Sequence, residues 1–168
     1  MTVKLRAART AADFAAVHRM QAEMAVWDAA QCAALGCPAD GVAAAFYSAD
    51  AARLQATFTG HGAMMLLAVR DGQVLGHAGF AGYDSGVAEV QKVWLDPAAR
   101  GAGLGRQLMA ELKTAMVAAG YTGACLETTT FMRDAIRLYE RQGFVRAVPF
   151  RDPPAGLGPI TVFMRARF

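Results

Sequence analysis

A glycine-rich stretch in the second half of the chain has the composition of an anion-binding loop. The apolar run 93–95 ends at Asp96-Pro97, where the proline lacks an N–H group and stops a strand. The glycines that follow, Gly101, Gly103 and Gly105, leave successive backbone N–H groups uncovered by side chains. Such a loop can hold a phosphate or pyrophosphate group.

The pattern after the loop predicts a helix that begins at the glycines. Large apolar residues recur at four-residue intervals from Leu104 to Met116, which places them on one helical face. A helix N-terminus adds unpaired N–H groups and a partial positive charge, and Arg100 and Arg106 flank it with full charges. The local prediction is therefore a strand, an anion-binding loop and a helix.

Two common phosphate-binding motifs do not match this stretch. A Walker loop ends in Gly-Lys-Ser/Thr, whereas this loop ends in Gly105-Arg106-Gln107. A dinucleotide fingerprint needs Gly-x-Gly-x-x-Gly, whereas the glycines here occupy every second position. A glycine-rich turn that only caps the helix is the remaining alternative.

A carboxylate in the predicted strand 87–95 needs an explanation. Glu89 lies there between apolar neighbours, where a carboxylate needs a partner or a role. It could pair with a neighbouring cation such as Lys92, or it could act in proton transfer. Glu127 lies near the end of a later strand, and Tyr139 lies in the helix after it.

The hydrophobic patterns predict a mixed α/β arrangement to position these residues. Strands are predicted over residues 3–6, 63–69, 73–81, 87–95, 121–128, 144–148 and 160–167. Helices are predicted over residues 11–30, 41–58, 103–119 and 132–142. Three consecutive strands without a helix between them argue against a regularly alternating, Rossmann-type nucleotide-binding protein.

Composition narrows the classes of protein further. A chain of 168 residues suits one domain, residues 1–168, and 55% apolar with 18% charged residues indicates a globular chain. Without a long apolar run or a signal peptide, we expect a cytoplasmic protein with no membrane partner. The net charge of +3 is not concentrated in a basic tract, so no nucleic-acid partner is expected. The spacing of the cysteines and histidines predicts no metal site.

A second motif, in the helix after the predicted fifth strand, indicates a resemblance to a known family. Ala135-Ile136, Leu138-Tyr139 and Gly143-Phe144 follow the predicted fifth strand. Together with Arg100-x-x-Gly103-x-Gly105 after a strand, this helix resembles the GNAT superfamily of N-acetyltransferases. The resemblance is specific from Glu89 to Phe144 and diffuse before residue 63. It implies a single-domain α/β (α+β) fold with a mixed sheet of six to seven strands flanked by about four helices.

The resemblance also implies an activity, a co-substrate and a set of site residues. The reaction would be direct transfer of an acetyl group from acetyl-CoA to a primary amine, with Tyr139 as general acid and Glu89 as general base. Glu127 or a water chain is the alternative base. The residues implied to bind acetyl-CoA are Val93, Trp94, Leu95, Arg100, Gly101, Ala102, Gly103, Leu104, Gly105, Arg106 and Met132. Many family members carry Asn where this chain has Met132.

Partners and alternatives follow from the same resemblance. The acceptor would be a small-molecule amine, selected by residues 20–58 and by the proline-rich loop 149–159, which carry no motif of their own. A homodimer is common in the superfamily. A non-catalytic acyl-CoA-binding regulatory module on the same fold is the second functional hypothesis.

Overall fold

A seven-stranded sheet with strand order β1-β2-β3-β4-β5-β7-β6 forms the centre of the protein. The computed structural model describes residues 2–168. The strands are β1 (Lys4–Ala7), β2 (Met64–Arg70), β3 (Gln73–Asp84), β4 (Val87–Leu95), β5 (Gly123–Thr129), β6 (Val145–Arg146) and β7 (Thr161–Arg167). The helices are α1 (Ala11–Ala34), α2 (Ala39–Phe46), α3 (Ala51–Phe58), α4 (Leu104–Ala118) and α5 (Arg133–Arg141).

The pairing of β4 with β5 is the one parallel pairing among the described strands. All other neighbours pair antiparallel. The parallel ladder is short, because only Val87–Glu89 on β4 face Gly123–Cys125 on β5. Beyond these residues the two strands separate, which leaves a gap in the sheet. The predicted mixed sheet of six to seven strands is confirmed.

A β-bulge lies in β4 just after the ladder ends. His77 on β3 faces Trp94, but Gly79 faces Gln91, so β4 has one residue more than β3 over this interval. The backbone of Lys92 takes a φ of 55°, which is unusual for a residue with a side chain. A bulge bends the strand and changes the direction of its side chains.

Helices cover both faces of the sheet. On one face α4 and α5 contribute Leu108, Leu112 and Ile136 to the largest cluster of buried apolar residues. On the other face α1 and α3 bury Phe14 and Phe58 against β2. No helix within residues 2–168 combines the length and the apolar character needed to cross a bilayer.

The predicted helix over residues 41–58 is wrong, because the structure has two helices there. α2 ends at Phe46, and α3 begins after Asp50, whose carboxylate accepts a hydrogen bond from the N–H of Arg53 at 2.8 Å. Aspartate at this position caps a new helix and favours a break in the chain before it. Residues 2–168 therefore form five α-helices.

The start of α1 is fixed by Asp13. Its carboxylate accepts hydrogen bonds from the backbone N–H groups of Arg9 and Thr10 and from the guanidinium of Arg6, at 2.6 and 3.0 Å. The Thr10 hydroxyl accepts in return from the N–H of Asp13, which completes a capping box. The Arg6 hydrogen bonds hold the pKa of Asp13 well below its usual range.

We predict that Asp13→Asn lowers the free energy of unfolding at neutral pH by about 1–2 kcal/mol, because charge-assisted hydrogen bonds are lost. The loss is limited because Arg6 is half exposed and solvent screens its charge. A lowered pKa stabilises the fold above the unfolded value of about 4. The difference between parent and variant should therefore shrink as the pH falls below about 4.

Denaturant unfolding between pH 3 and pH 7 measures this difference. Asp40→Asn is the matched control, because Asp40 is exposed in the first turn of α2 and forms no hydrogen bond within residues 2–168. Equal losses in both variants, or a loss from Asp13→Asn that does not depend on pH, would contradict the prediction.

Candidate active site

A cavity of about 350 Å³ lies where β4 and β5 separate. β4 and β5 form two of its walls, and α1, the end of α2, α5 and the loop before β7 form the rest. Three of the sequence-predicted residues, Glu89, Glu127 and Tyr139, line this cavity together with Val93 and Met132. The structure therefore brings together candidates that are up to 50 residues apart in the chain.

His77 supports the bulge that shapes this cavity. Its imidazole is fully buried, and Nδ1 lies 2.6 Å from the carbonyl oxygen of Lys92. A carbonyl can only accept, so Nδ1 carries the proton and donates it. Nε2 is then free to accept from the side-chain amide nitrogen of Gln21 at 3.3 Å. Burial lowers the pKa of His77 to about 4, so the ring is neutral at physiological pH.

The side chain of Lys92 ties the bulge to α2. Its ammonium donates a hydrogen bond to the backbone carbonyl of Phe46, the last residue of that helix, and lies over the ring of Tyr47. A cation at a helix C-terminus satisfies an unpaired carbonyl and interacts favourably with the helix dipole. Burial lowers the pKa of Lys92.

The two strand carboxylates share one cation, Arg151. Its guanidinium pairs with Glu89, and its Nε lies 3.4 Å from Oε2 of Glu127. Gln91 also donates to Glu89 at 2.9 Å. Lys92, the neighbour considered as a partner for Glu89, is engaged at α2 instead. The proline-rich loop before β7 thus supplies a cation to the cavity, which its sequence did not reveal.

Glu127 retains an oxygen that can accept a proton. Its Oε1 is buried and has no hydrogen-bond partner within residues 2–168. Burial raises the pKa of Glu127, with Arg151 acting in the opposite direction and the negative charge of Glu89 adding to the increase. A carboxylate with a raised pKa is better matched to proton transfer near neutral pH.

Tyr139 lines the same cavity. The residue is 6% exposed, and its ring packs against Phe144 with centroids 6.1 Å apart. No hydrogen bond to the hydroxyl is formed by the residues the structure describes. Burial raises the pKa of Tyr139, so the phenol holds its proton and can donate it.

An aspartate on α1 also faces the cavity, and sequence reasoning missed it. Asp28 is 5% exposed and accepts a hydrogen bond from the Tyr47 hydroxyl at 2.5 Å. Burial raises the pKa of Asp28, and the Tyr47 bond lowers it. The available signal was spacing, since Gln21, Met24 and Asp28 lie three and four residues apart and so share one helical face.

The glycine loop forms a separate cluster of donors at the start of α4. Gly101 and Gly103 have φ values of 87° and 76°, which favour glycine, and Gly103 is the N-cap of α4. Within residues 2–168, no acceptor is bound by the backbone N–H groups of residues 101–106. Successive free N–H groups at a helix N-terminus form a binding site for anions.

Two of the predicted cofactor residues are already engaged by Arg100. Its guanidinium donates two hydrogen bonds to the carbonyl of Leu95, at 3.0 and 3.1 Å, and lies over the ring of Trp94. Trp94 is buried and packs against Trp27. Arg100 therefore braces the strand end and the loop, and these residues lie outside the main cavity. A smaller cavity of about 260 Å³ lies beside Arg100, Ala102 and Leu104.

Comparison with known proteins relates this geometry to a family. The model described as "Acetyltransferase (GNAT) family" matches residues 17–144. The IAA acetyltransferase of Azospirillum brasilense is 36% identical over 100 residues, which are 59% of this chain and 64% of that protein. The aligned region thus spans less than two thirds of that relative.

Solved structures of other acetyltransferases have the same fold over the full length of this chain. A phosphinothricin acetyltransferase from Sinorhizobium meliloti, in complex with acetyl-CoA, has a TM-score of 0.73 and 24% identity, over 100% of this chain and 89% of that one. The PaiA N-acetyltransferase from Thermoplasma acidophilum, in complex with coenzyme A, has a TM-score of 0.75 and 16% identity over 100% of both chains. The family match spans the bulged strand, the glycine loop and the Tyr139 helix, and the chain belongs to the GNAT acetyltransferase family.

Proposed function

We propose that the protein transfers an acetyl group from acetyl-CoA to a primary amine of a small molecule. The observation that carries the proposal is the convergence of Glu89, Glu127 and Tyr139 on one cavity at the gap between β4 and β5. A proton acceptor and a proton donor there serve a reaction in which an amine loses a proton and a thiolate gains one. The acetyl-CoA and coenzyme A complexes among related structures support the choice of co-substrate.

Binding of acetyl-CoA falls to the glycine loop and the edge of β4. The free N–H groups of residues 101–106 would hold the pyrophosphate, with Arg106 adding a charge. Residues 93–95 would pair with the pantetheine arm as an added strand would, and Met132 would contact it from the start of α5. In this proposal Arg100 acts mainly by bracing the loop, because its guanidinium is bound to Leu95.

The acetyl transfer itself requires two proton movements. The amine nitrogen attacks the thioester carbonyl, the carbon–sulfur bond breaks, and coenzyme A leaves as a thiolate that takes a proton from Tyr139. Glu89, directly or through a water, removes the proton of the attacking amine. Glu127 is the second candidate base, because its Oε1 lacks a partner whereas both oxygens of Glu89 are engaged.

Loss of the glycine at position 103 should abolish acetyl-CoA binding. Saturation near 100 times the dissociation constant should stabilise the parent by about 2.7 kcal/mol, or roughly 5–10 °C in melting temperature. Gly103→Val should remove this increase, since its side chain would project into the open space above the loop. Thermal melts with and without acetyl-CoA measure the effect.

Gly36→Val is the matched control for this experiment. Gly36 has a similar φ of 70°, a Cβ added there would meet no atom within 4 Å, and the residue follows α1 rather than β4. Both variants should melt earlier than the parent, but only Gly36→Val should still respond to acetyl-CoA. A parent that responds to ATP or NAD and not to acetyl-CoA would contradict the proposal.

A panel of amines tests the transfer. Amino acids, polyamines, aminoglycosides and peptide N-termini are offered with acetyl-CoA, and thiol release is followed together with the mass of the product. At least one amine should accelerate thiol release and gain an acetyl group. Binding of acetyl-CoA without thiol release on any amine would favour the non-catalytic acyl-CoA-binding module instead.

Tyr139→Phe separates proton donation from packing. The ring remains against Phe144, so the melting temperature should change little. Turnover should fall about 10²-fold or more if proton donation contributes to the slow step, and KM for acetyl-CoA should change far less. Steady-state kinetics with the best amine of the panel, beside a thermal melt, give both values. A rate loss that merely tracks a loss of folded protein would assign Tyr139 a packing role.

A further inference from the structure

The α1 wall of the cavity carries two acceptor oxygens without donors. Asp28 Oδ1 and Gln21 Oε1 are both buried and have no hydrogen-bond partner within residues 2–168. Asp28 and Gln21 are 5% and 3% exposed, and both line the cavity. Seven residues separate them, so they lie about 10 Å apart along the helix axis. An unsatisfied buried acceptor is costly, so a ligand that supplies the missing donors would be bound favourably here.

Among residues 2–168, the carboxyl group of Asp28 forms no ion pair with a cation. Its only hydrogen-bond donor within residues 2–168 is the neutral hydroxyl of Tyr47. Lys92 lies over the Tyr47 ring, but its ammonium is bound to the Phe46 carbonyl rather than to Asp28. Arg151 is bound to Glu89 and Glu127. The cavity therefore has a buried carboxylate that lacks a counter-charge.

The other charged residues of the cavity also favour a ligand with a positive group. Four carboxylates line it, Asp28, Glu89, Glu127 and Asp152, against the two cations Lys92 and Arg151. Both cations already have partners, so a ligand with a negative group would find no free cation there. A ligand with a positive group would find Asp28. A buried charge is stable when it is paired and hydrogen-bonded.

We propose that Asp28 binds a second cationic group of the acceptor, which makes the acceptor a small diamine or polyamine. This inference rests on the proposed function, because it presumes that the first amine of the same molecule reacts near Glu89 and Tyr139. Gln21 Oε1 offers a further acceptor for an N–H group along the same wall. The substrate would lie in the cavity with one amine at the carboxylate pair and the other at α1.

Four probes of the same four-carbon length test this assignment. They are a diamine, an amino alcohol, a monoamine and an amino acid, and their affinities for the protein saturated with coenzyme A are measured by calorimetry. The diamine should bind about ten- to a hundredfold more tightly than the monoamine, the range expected for a hydrogen bond to a charged group. The amino acid should bind most weakly, because its carboxylate would meet Asp28.

Asp28→Asn should remove the preference for the diamine. Asparagine keeps an oxygen that can accept from Tyr47, so the variant loses the charge and retains the hydrogen bond. Glu23→Gln is the matched control, because Glu23 is exposed on the same helix and the change in net charge is equal. This control should retain the full preference. Asp28→Ala removes the carboxyl group altogether and should lose the preference as well, so it serves if Asp28→Asn does not fold.

Three results would overturn the assignment: equal affinities for all four probes, tightest binding of the amino acid, or a preference that survives Asp28→Asn. Because the binding assay needs no turnover, it is independent of the proposed reaction. A protein that prefers the diamine through Asp28 and releases no thiol would refute the transferase proposal alone. If all four probes bind with equal affinity and release thiol at equal rates, the role of Asp28 is refuted and the transferase proposal is not.

Discussion

The carbonyl group of Lys92 has its hydrogen-bond donor in the His77 imidazole, and the shape of the site depends on this contact. At the bulge, β4 has one residue more than β3. An unpaired carbonyl buried there would cost free energy comparable to a lost hydrogen bond. A neutral, fully buried histidine provides the donor and stabilises the positive φ of Lys92. The bulge in turn directs β4 away from β5 and leaves room for a cavity.

The charges of the cavity are arranged around this opening. Arg151 holds Glu89 and Glu127 together on one side, and Lys92 is bound to the end of α2 on the other. Removing a charge from water is expensive, so each buried group here is stable only with its partner. Two buried carboxyl oxygens, Glu127 Oε1 and Asp28 Oδ1, have no hydrogen-bond partner among residues 2–168. A ligand or a proton could provide the missing hydrogen bond at these positions. In both side chains one oxygen is thus bound within the protein, whereas the other has no partner among residues 2–168.

Motifs and hydrophobic spacing predicted those parts of the structure that depend on residues close together in the sequence. The glycines at 101 and 103 take the positive φ values that only glycine adopts freely, and the four-residue spacing after them gives α4. The succession of strands along the chain could be predicted from apolar runs and turn residues. The bulge could not be predicted, because a lysine at position 92 does not indicate one. The break between α2 and α3 was missed because helical spacing continues on both sides of Asp50.

Contacts between distant segments could not be predicted in this way. Arg151 lies 62 residues from Glu89, in a loop whose prolines indicate only irregular structure. Asp28 and Tyr47 meet because α1 and α2 pack together, and either residue alone resembles an ordinary helical side chain. In the sequence, His77 is a single histidine within an apolar strand. Its hydrogen bond to the Lys92 carbonyl depends on the pairing of β3 with β4, which the sequence does not show. Pairing across the fold, rather than residue type, determines which groups these side chains contact.

Nitrogen NMR of His77 tests most directly whether the imidazole holds the bulge. We expect a neutral ring with the proton on Nδ1 throughout the range from pH 5 to pH 8, and protonation of Nε2 only near pH 4. Because the pKa of the folded state is lowered, the stabilisation from the neutral ring is present above the unfolded value of about 6.5 and is lost as the pH falls toward 4. An Nε2-protonated tautomer, or titration near 6.5 in the folded protein, would contradict the account.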